Sequence, residues 1–111
     1  MNLDKETQQN MEQLQLLEQS LQTTLMQKQT MTNQLAEIDN ALNEINKTET
    51  VYKVLGPVMI ATTKKEAQQE LQNKKETIAI RIQNLDKQEH KIKERFEKLQ
   101  EDVLKELKTK E

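Results

Sequence analysis

The residues that could do chemistry in this chain are few, and their spacing does not bring them together. His90 is the only histidine, cysteine is absent, and acidic and basic side chains are interspersed along the whole sequence. A metal site needs several convergent ligands, and catalysis needs a base held against a nucleophile inside a cavity. The sequence therefore predicts no enzyme, no metal site and no cofactor, and His90 is interpreted as a solvated surface residue.

The net charge narrows the partners that the chain can recognise. Its 17 basic and 19 acidic residues nearly cancel, so no one-signed field is available to attract a nucleic acid or an anionic membrane. No apolar run approaches the ~20 residues that span a bilayer, and the polar start does not resemble a signal peptide. The absence of cysteine suits a reducing compartment. We expect a cytoplasmic protein without nucleic-acid or membrane partners.

Long helices are the elements that this composition favours. Only 33% of the 111 residues are hydrophobic, which argues against a globular core and leaves disorder as an alternative. Apolar residues nevertheless recur at heptad spacing on both sides of Gly56-Pro57, which holds the only glycine and the only proline. The columns before this dipeptide contain Leu14, Leu21, Leu35 and Leu42, and Leu17, Met31, Ile38 and Ile45, with Thr24 and Lys28 as interruptions. The columns after it contain Leu71, Ile78, Leu85, Ile92 and Leu99, and Ile82, Phe96 and Val103, with Lys75 and Glu89 as interruptions. Regular heptads favour helices over disorder.

The heptads predict a mainly α fold: a long antiparallel two-helix coiled coil with a short β-hairpin at the connecting end. Folding the arms about the central turn suggests pairs whose residue numbers add to about 113, such as Leu42 with Leu71. This register brings Lys28 within about one turn of Glu89, a polar contact that would specify the register. The whole chain is assigned to one domain, 1–111, divided into a first helical arm at 1–47, a hairpin segment at 48–63 and a second arm at 64–111.

The beginning of the second helix has its own signal. Thr63 and Glu66 have the spacing of a capping box, in which each side chain bonds the backbone N–H of the other residue. The helix is therefore predicted to begin near Lys64.

Two β-prone runs flank the central dipeptide. Glycine at the first turn position suits a type II′ hairpin, because that position needs a positive φ. Nearly every strand residue is apolar, so both faces require burial, and a lone hairpin also has two unpaired edges. We expect the hairpin to assemble with other subunits, the alternative being a hairpin packed on its own helices. The predicted assembly surface comprises Val51, Tyr52, Val54, Leu55, Val58, Met59 and Ile60.

The sequence Val-Tyr-Lys-Val-Leu-Gly-Pro-Val-Met-Ile at 51–60, between two heptad arms, resembles the β class of prefoldins. Leu71 and the Gln88-Glu89 pair in the second arm extend the resemblance, which covers archaeal β subunits and the related eukaryotic sixth subunit. A single hairpin points to the β class, because α-class subunits carry two. The resemblance implies a hexamer of two α and four β subunits whose hairpins form a β-barrel platform. It also implies a holdase that captures non-native polypeptides at the coiled-coil tips and passes them to a group II chaperonin, without ATP.

Apolar residues off the heptad seam concentrate toward the free ends of the arms, where the seam itself turns polar. The polar seam positions are Thr7, Asn10, Glu106 and Lys110. Scattered, flexible Met and Leu side chains suit weak binding to many unfolded sequences. The predicted client-binding residues are Met11, Leu14, Leu16, Leu25, Val103, Leu104 and Leu107. Ordinary surface hydrophobes at frayed helix ends are the alternative. A structural coiled-coil adaptor or assembly scaffold that binds a folded partner is the competing function.

Overall fold

The computed structural model describes residues 4–109 and contains two long helices connected by a β-hairpin. In chain order the elements are α1 (Lys5–Lys47), β1 (Val51–Leu55), β2 (Val58–Thr62) and α2 (Lys64–Thr109). The predicted mainly α fold, with one hairpin between two helical arms, is confirmed. Within the described range, neither helix is long and apolar enough to cross a membrane.

The heptad columns form the contact between the two helices. Their described members are buried or half-buried, whereas the residues between them are mostly exposed. The most deeply buried side chains are Thr7, Thr24, Ile38, Ile45, Ile92 and Val103. Fully burying one such isoleucine or valine contributes about 1.5–3 kcal/mol, and no glycine or proline interrupts either helix. A line of apolar side chains, rather than a globular core, therefore holds the helices together.

The chain divides into two units, each containing a part of both helices. The terminal unit comprises residues 4–28 and 84–109, which are helical almost throughout. The hairpin unit comprises residues 29–83 and contains β1, β2 and the helical segments that flank them. The predicted assembly residues therefore lie in the hairpin unit, and the predicted client-binding residues lie in the terminal unit.

Polar contacts across the seam fix the register within each unit. In the terminal unit the Thr7 hydroxyl donates to Glu106 at 2.8 Å. In the hairpin unit Lys75 Nζ lies 2.7 Å from Asp39 Oδ1. The residue numbers of these pairs add to 113 and 114, which confirms the antiparallel register predicted from the sequence.

Helix α2 begins at Lys64, as predicted, and half of the predicted capping box is present. The backbone N–H of Glu66 donates to Thr63 Oγ1 at 3.1 Å, which is the expected cap. The Glu66 carboxylate does not return the bond to Thr63, because it accepts one from the Thr62 hydroxyl at 3.1 Å. The reciprocal half of the prediction is wrong, since the last strand residue competes for the carboxylate.

The hairpin turn is the one place where the backbone requires glycine. Strands β1 and β2 pair antiparallel from Val51↔Thr62 to Leu55↔Val58, which leaves a two-residue loop. Gly56 has a φ of +56°, and the described residues other than glycine all have negative φ. A positive φ at the first turn residue, Gly56, and a negative φ at the second, Pro57, are the signs that the predicted type II′ turn requires.

Candidate functional site

The hairpin exposes the apolar surface that the sequence predicted for assembly. Val51 is half-buried, and the other members are 47 to 66% exposed. These exposed members are Tyr52, Val54, Leu55, Val58, Met59 and Ile60. The alternative, a hairpin packed on its own helices, does not hold for these six side chains.

Both faces of the hairpin carry this surface. Because side chains alternate along a strand, Tyr52, Val54 and Met59 share one face, and Leu55, Val58 and Ile60 share the other. The sheet has two strands, so each has one neighbour within the described chain and one open edge. Open edges and two apolar faces are the features that favour pairing with another polypeptide.

One charged side chain lies within this apolar surface. Lys53 Nζ is 2.8 Å from Glu70 Oε1, so the pair joins β1 to α2. A hydrogen bond from the Lys53 ammonium, together with its positive charge, lowers the pKa of the Glu70 carboxyl. This pair was not predicted from the sequence, since the reach of Lys53 depends on how the hairpin lies against α2.

The terminal unit exposes a second, more scattered apolar set. Met11, Leu16, Leu25 and Leu104 are 41 to 55% exposed, and Leu107 is half-buried. All five lie off the heptad seam, so the helix–helix contact does not need them. Their apolar carbons therefore remain accessible at the surface of the chain.

Two other predicted client-binding residues lie in a different environment. Leu14 is half-buried on the seam, and Val103 is a core residue with 6% of its surface exposed. Both positions belong to the heptad columns, so their side chains contact the opposite helix. Their role in client binding stays a prediction, and a partner would reach them only if the helices separated.

The seam of the terminal unit ends in polar contacts, as the sequence predicted. Glu106 accepts hydrogen bonds from the Thr7 hydroxyl at 2.8 Å and from Asn10 Nδ2 at 3.1 Å. Thr7 is completely buried. Lys110, the fourth predicted polar seam residue, lies outside the described residues. Specific hydrogen bonds thus hold the described part of this end together with the burial of Val103.

A charged cluster interrupts the seam further along the terminal unit. Lys28 Nζ lies 3.1 Å from Glu89 Oε2 and 2.5 Å from Asp86 Oδ1, and Glu89 also accepts from Lys93 at 3.0 Å. Hydrogen bonds to Asp86 and then Glu89 raise the pKa of Lys28. Hydrogen bonds from Lys93 and then Lys28 lower the pKa of Glu89. The predicted contact between Lys28 and Glu89 is confirmed.

Two acidic partners of seam lysines were not predicted from the sequence. Asp86 pairs with Lys28, and Asp39 pairs with Lys75. Both acids lie next to the columns rather than in them, and both pairs have residue numbers that add to 114. The register was a sufficient signal, because a long lysine side chain reaches one position beyond its direct opposite.

His90 lies on the outer surface with its side chain 75% exposed, and Nε2 is 2.9 Å from Glu94 Oε1, one turn along α2. Histidine, aspartate and glutamate form no cluster of three that could hold a metal ion among residues 4–109. The candidate sites that the structure presents are the exposed apolar side chains of the hairpin unit and of the terminal unit.

Comparison with known proteins gives a consistent result. The family model described as "Prefoldin subunit" matches residues 8–110. The chain is 37% identical over 97 residues to the prefoldin subunit beta of Caldivirga maquilingensis, covering 85% of this chain and 80% of that protein. It is 36% identical over 105 residues to that of Pyrococcus furiosus, covering 92% and 90%. The crystal structure of the prefoldin beta subunit from Thermococcus strain KS-1 matches with a TM-score of 0.84 and 34% identity, covering 92% of each chain.

Proposed function

We propose that this chain is a holdase subunit that captures non-native polypeptides and transfers them to a group II chaperonin. The chain belongs to the β class of the prefoldin family, and this membership is the starting point of the proposal. Membership makes it a prefoldin chaperone subunit. The finer mechanism is the proposal, and one observation carries it: exposed apolar side chains of the terminal unit that the helix–helix contact does not use.

The chemistry of these side chains supports capture without selectivity. Met11, Leu16, Leu25 and Leu104 are unbranched at Cβ and flexible, so they adapt to many apolar partners. Burying apolar surface contributes about 25 cal/mol per Å², and ordering both chains opposes it. Contacts of this kind are individually weak and reversible, as a chaperone that releases its client requires.

We further propose that capture and release proceed without ATP. A phosphate-binding loop brings several backbone N–H groups close to the nucleotide, which requires glycines at fixed spacing. The chain has a single glycine, Gly56, and the hairpin turn uses it. Release would then depend on competition for the client by the chaperonin.

The chain assembles with other prefoldin subunits, as its family membership implies. We propose a hexamer of two α and four β subunits in the cytoplasm, with the hairpins combined into a β-barrel platform. The open edges of β1 and β2 and the two apolar hairpin faces support this arrangement, because barrel closure removes edges and buries one face of each strand.

Serine substitution tests capture separately from assembly. A variant with Met11→Ser, Leu16→Ser, Leu104→Ser and Leu107→Ser should form the hexamer with an α-class subunit yet suppress aggregation of guanidinium-unfolded lysozyme less than the unchanged chain. Light scattering measures suppression, and sedimentation measures assembly. Ile80→Ser is the matched control, since Ile80 is 58% exposed in the hairpin unit. Equal suppression by the quadruple variant and the unchanged hexamer would reject these residues as the capture surface.

A further inference from the structure

Lys53 is the only charged residue in the two strands of the hairpin, and it stands in the middle of β1. Its Cα pairs with Ile60, and its side chain lies on the same face as Leu55. It therefore interrupts a surface that is otherwise almost entirely apolar. A charge in such a surface costs free energy when another subunit covers it, unless a partner neutralises the charge.

Glu70 is that partner. The Lys53 ammonium donates to the Glu70 carboxylate at 2.8 Å, with the two side chains 43% and 50% exposed. A hydrogen bond between two charged groups is shorter and stronger than one between neutral groups. The pair therefore connects the middle of β1 to the second turn of α2 and limits how far the two can separate.

A second contact lies beside the first on the same face of α2. The Thr62 hydroxyl donates to Glu66 at 3.1 Å, and Glu66 precedes Glu70 by four residues, one helical turn. A single residue, Thr63, connects β2 to α2. The contact of Thr62 is close to this connection and restrains the hairpin little, whereas the contact of Lys53 is further away and restrains its angle more.

Apolar contacts between the hairpin and the helices do not fix the hairpin angle in place of the Lys53–Glu70 pair. Ile45, Val51 and Leu71 line an open cleft of about 540 Å³ between the hairpin and the helical segments of its own unit. A cleft of this size leaves space into which the hairpin could tilt. The ion pair spans the margin of the cleft, since Lys53 and Glu70 also line it.

We infer that Lys53 and Glu70 are positioning residues for assembly, which hold the hairpin at the angle at which its apolar surface meets neighbouring subunits. The inference rests on the proposed role of the hairpin in assembly. Preorganisation of this kind increases affinity, because less conformational freedom is lost on association. The pair also brings Lys53 to the interface with its charge already neutralised.

Distance measurements on the isolated chain test the positioning directly. The chain has no cysteine, so spin labels can be attached through Met59→Cys on the hairpin and Gln72→Cys on α2. We expect a narrow distance distribution that broadens in Lys53→Gln and narrows again in Lys53→Glu with Glu70→Lys. Lys65→Gln, an equal charge change at an exposed position of the first turn of α2, should leave the distribution unchanged. A distribution of equal width in all variants would overturn the inference.

Assembly with a purified α-class prefoldin subunit gives the functional readout. Lys53→Glu and Glu70→Lys should each weaken association by about two- to fivefold, with unchanged helix content, and the double exchange should restore it. Single variants that associate normally, or an exchange no better than the weaker single variant, would contradict the positioning role. Failure of the unchanged chain to associate would instead reject the proposed assembly, so the two failures are distinguishable.

Discussion

The ammonium of Lys28 donates to the carboxylate of Glu89 across the helix seam at 3.1 Å, and Lys28 lies in the heptad column of Leu21 and Leu35. Asp86 completes the neutralisation of the lysine on one side, and Lys93 neutralises Glu89 on the other. A charged seam residue costs stability but excludes helix pairings in which its charge would face an apolar side chain. The cluster thus makes one alignment of the helices better than its competitors.

Lys28→Leu should make the isolated chain more stable but less selective in its helix pairing. We expect Lys28→Leu to raise the melting temperature of the isolated chain by several degrees, because the seam becomes continuous and Glu89 retains Lys93. The same change should promote self-association, measured by sedimentation, since an uninterrupted apolar seam accepts other helix partners. Lys87→Leu, at an exposed position, is the control. A lower melting temperature with no self-association would contradict this role for Lys28.

Acid should remove the contribution of Glu89 to stability. The folded chain holds the pKa of this carboxyl below its ordinary value of 4.5, so the contribution is complete above that pH and is lost as the pH falls through the lowered pKa. The melting temperature of Glu89→Gln should therefore lie below that of the unchanged chain at neutral pH, and the two should converge once the pH falls below the lowered pKa. Melting followed by circular dichroism measures both, and a difference that is constant with pH would refute the assignment.

Alkali should weaken the ion pairs of Lys28. The pKa of Lys28 is raised above the ordinary 10.5, so the stabilisation that its charged form contributes is present below that pH. This stabilisation is lost as the pH rises through the raised pKa.

Charge placed on the hairpin should prevent assembly without unfolding the helices. Val58→Lys with Ile60→Lys puts two cations on a hairpin face whose only charged residue is Lys53. Strands β1 and β2 contain no acidic residue that could pair with them. We expect association with an α-class subunit to weaken by at least about 100-fold, because unpaired charges would be buried. Sedimentation of the mixture and circular dichroism of the isolated variant distinguish lost assembly from lost folding. An intact hexamer would exclude this face from the interface.

The parts of the fold that depend on local spacing were predictable from the sequence. Heptad periodicity located the seam, and Gly56-Pro57 located the turn and therefore the register. The pair of Lys53 with Glu70 was not predictable, because it follows from the angle between hairpin and helix. Val103 was placed both in a heptad column and among the client-binding residues, and the structure buries it as the column predicts.

The central claim is that the exposed apolar side chains of the terminal unit hold the client, and site-specific photo-crosslinking tests it most directly. A photoreactive phenylalanine derivative is placed at Leu16 or Leu104, which are 55% and 53% exposed, in hexamers mixed with guanidinium-unfolded lysozyme. The same group at Gln72, exposed on α2 in the hairpin unit, is the control. We predict crosslinks to the client from positions 16 and 104 that exceed those from position 72 by at least about tenfold, the ratio that 1.4 kcal/mol of preference produces. Equal crosslinking from all three positions, or crosslinking mainly from position 72, would contradict the account.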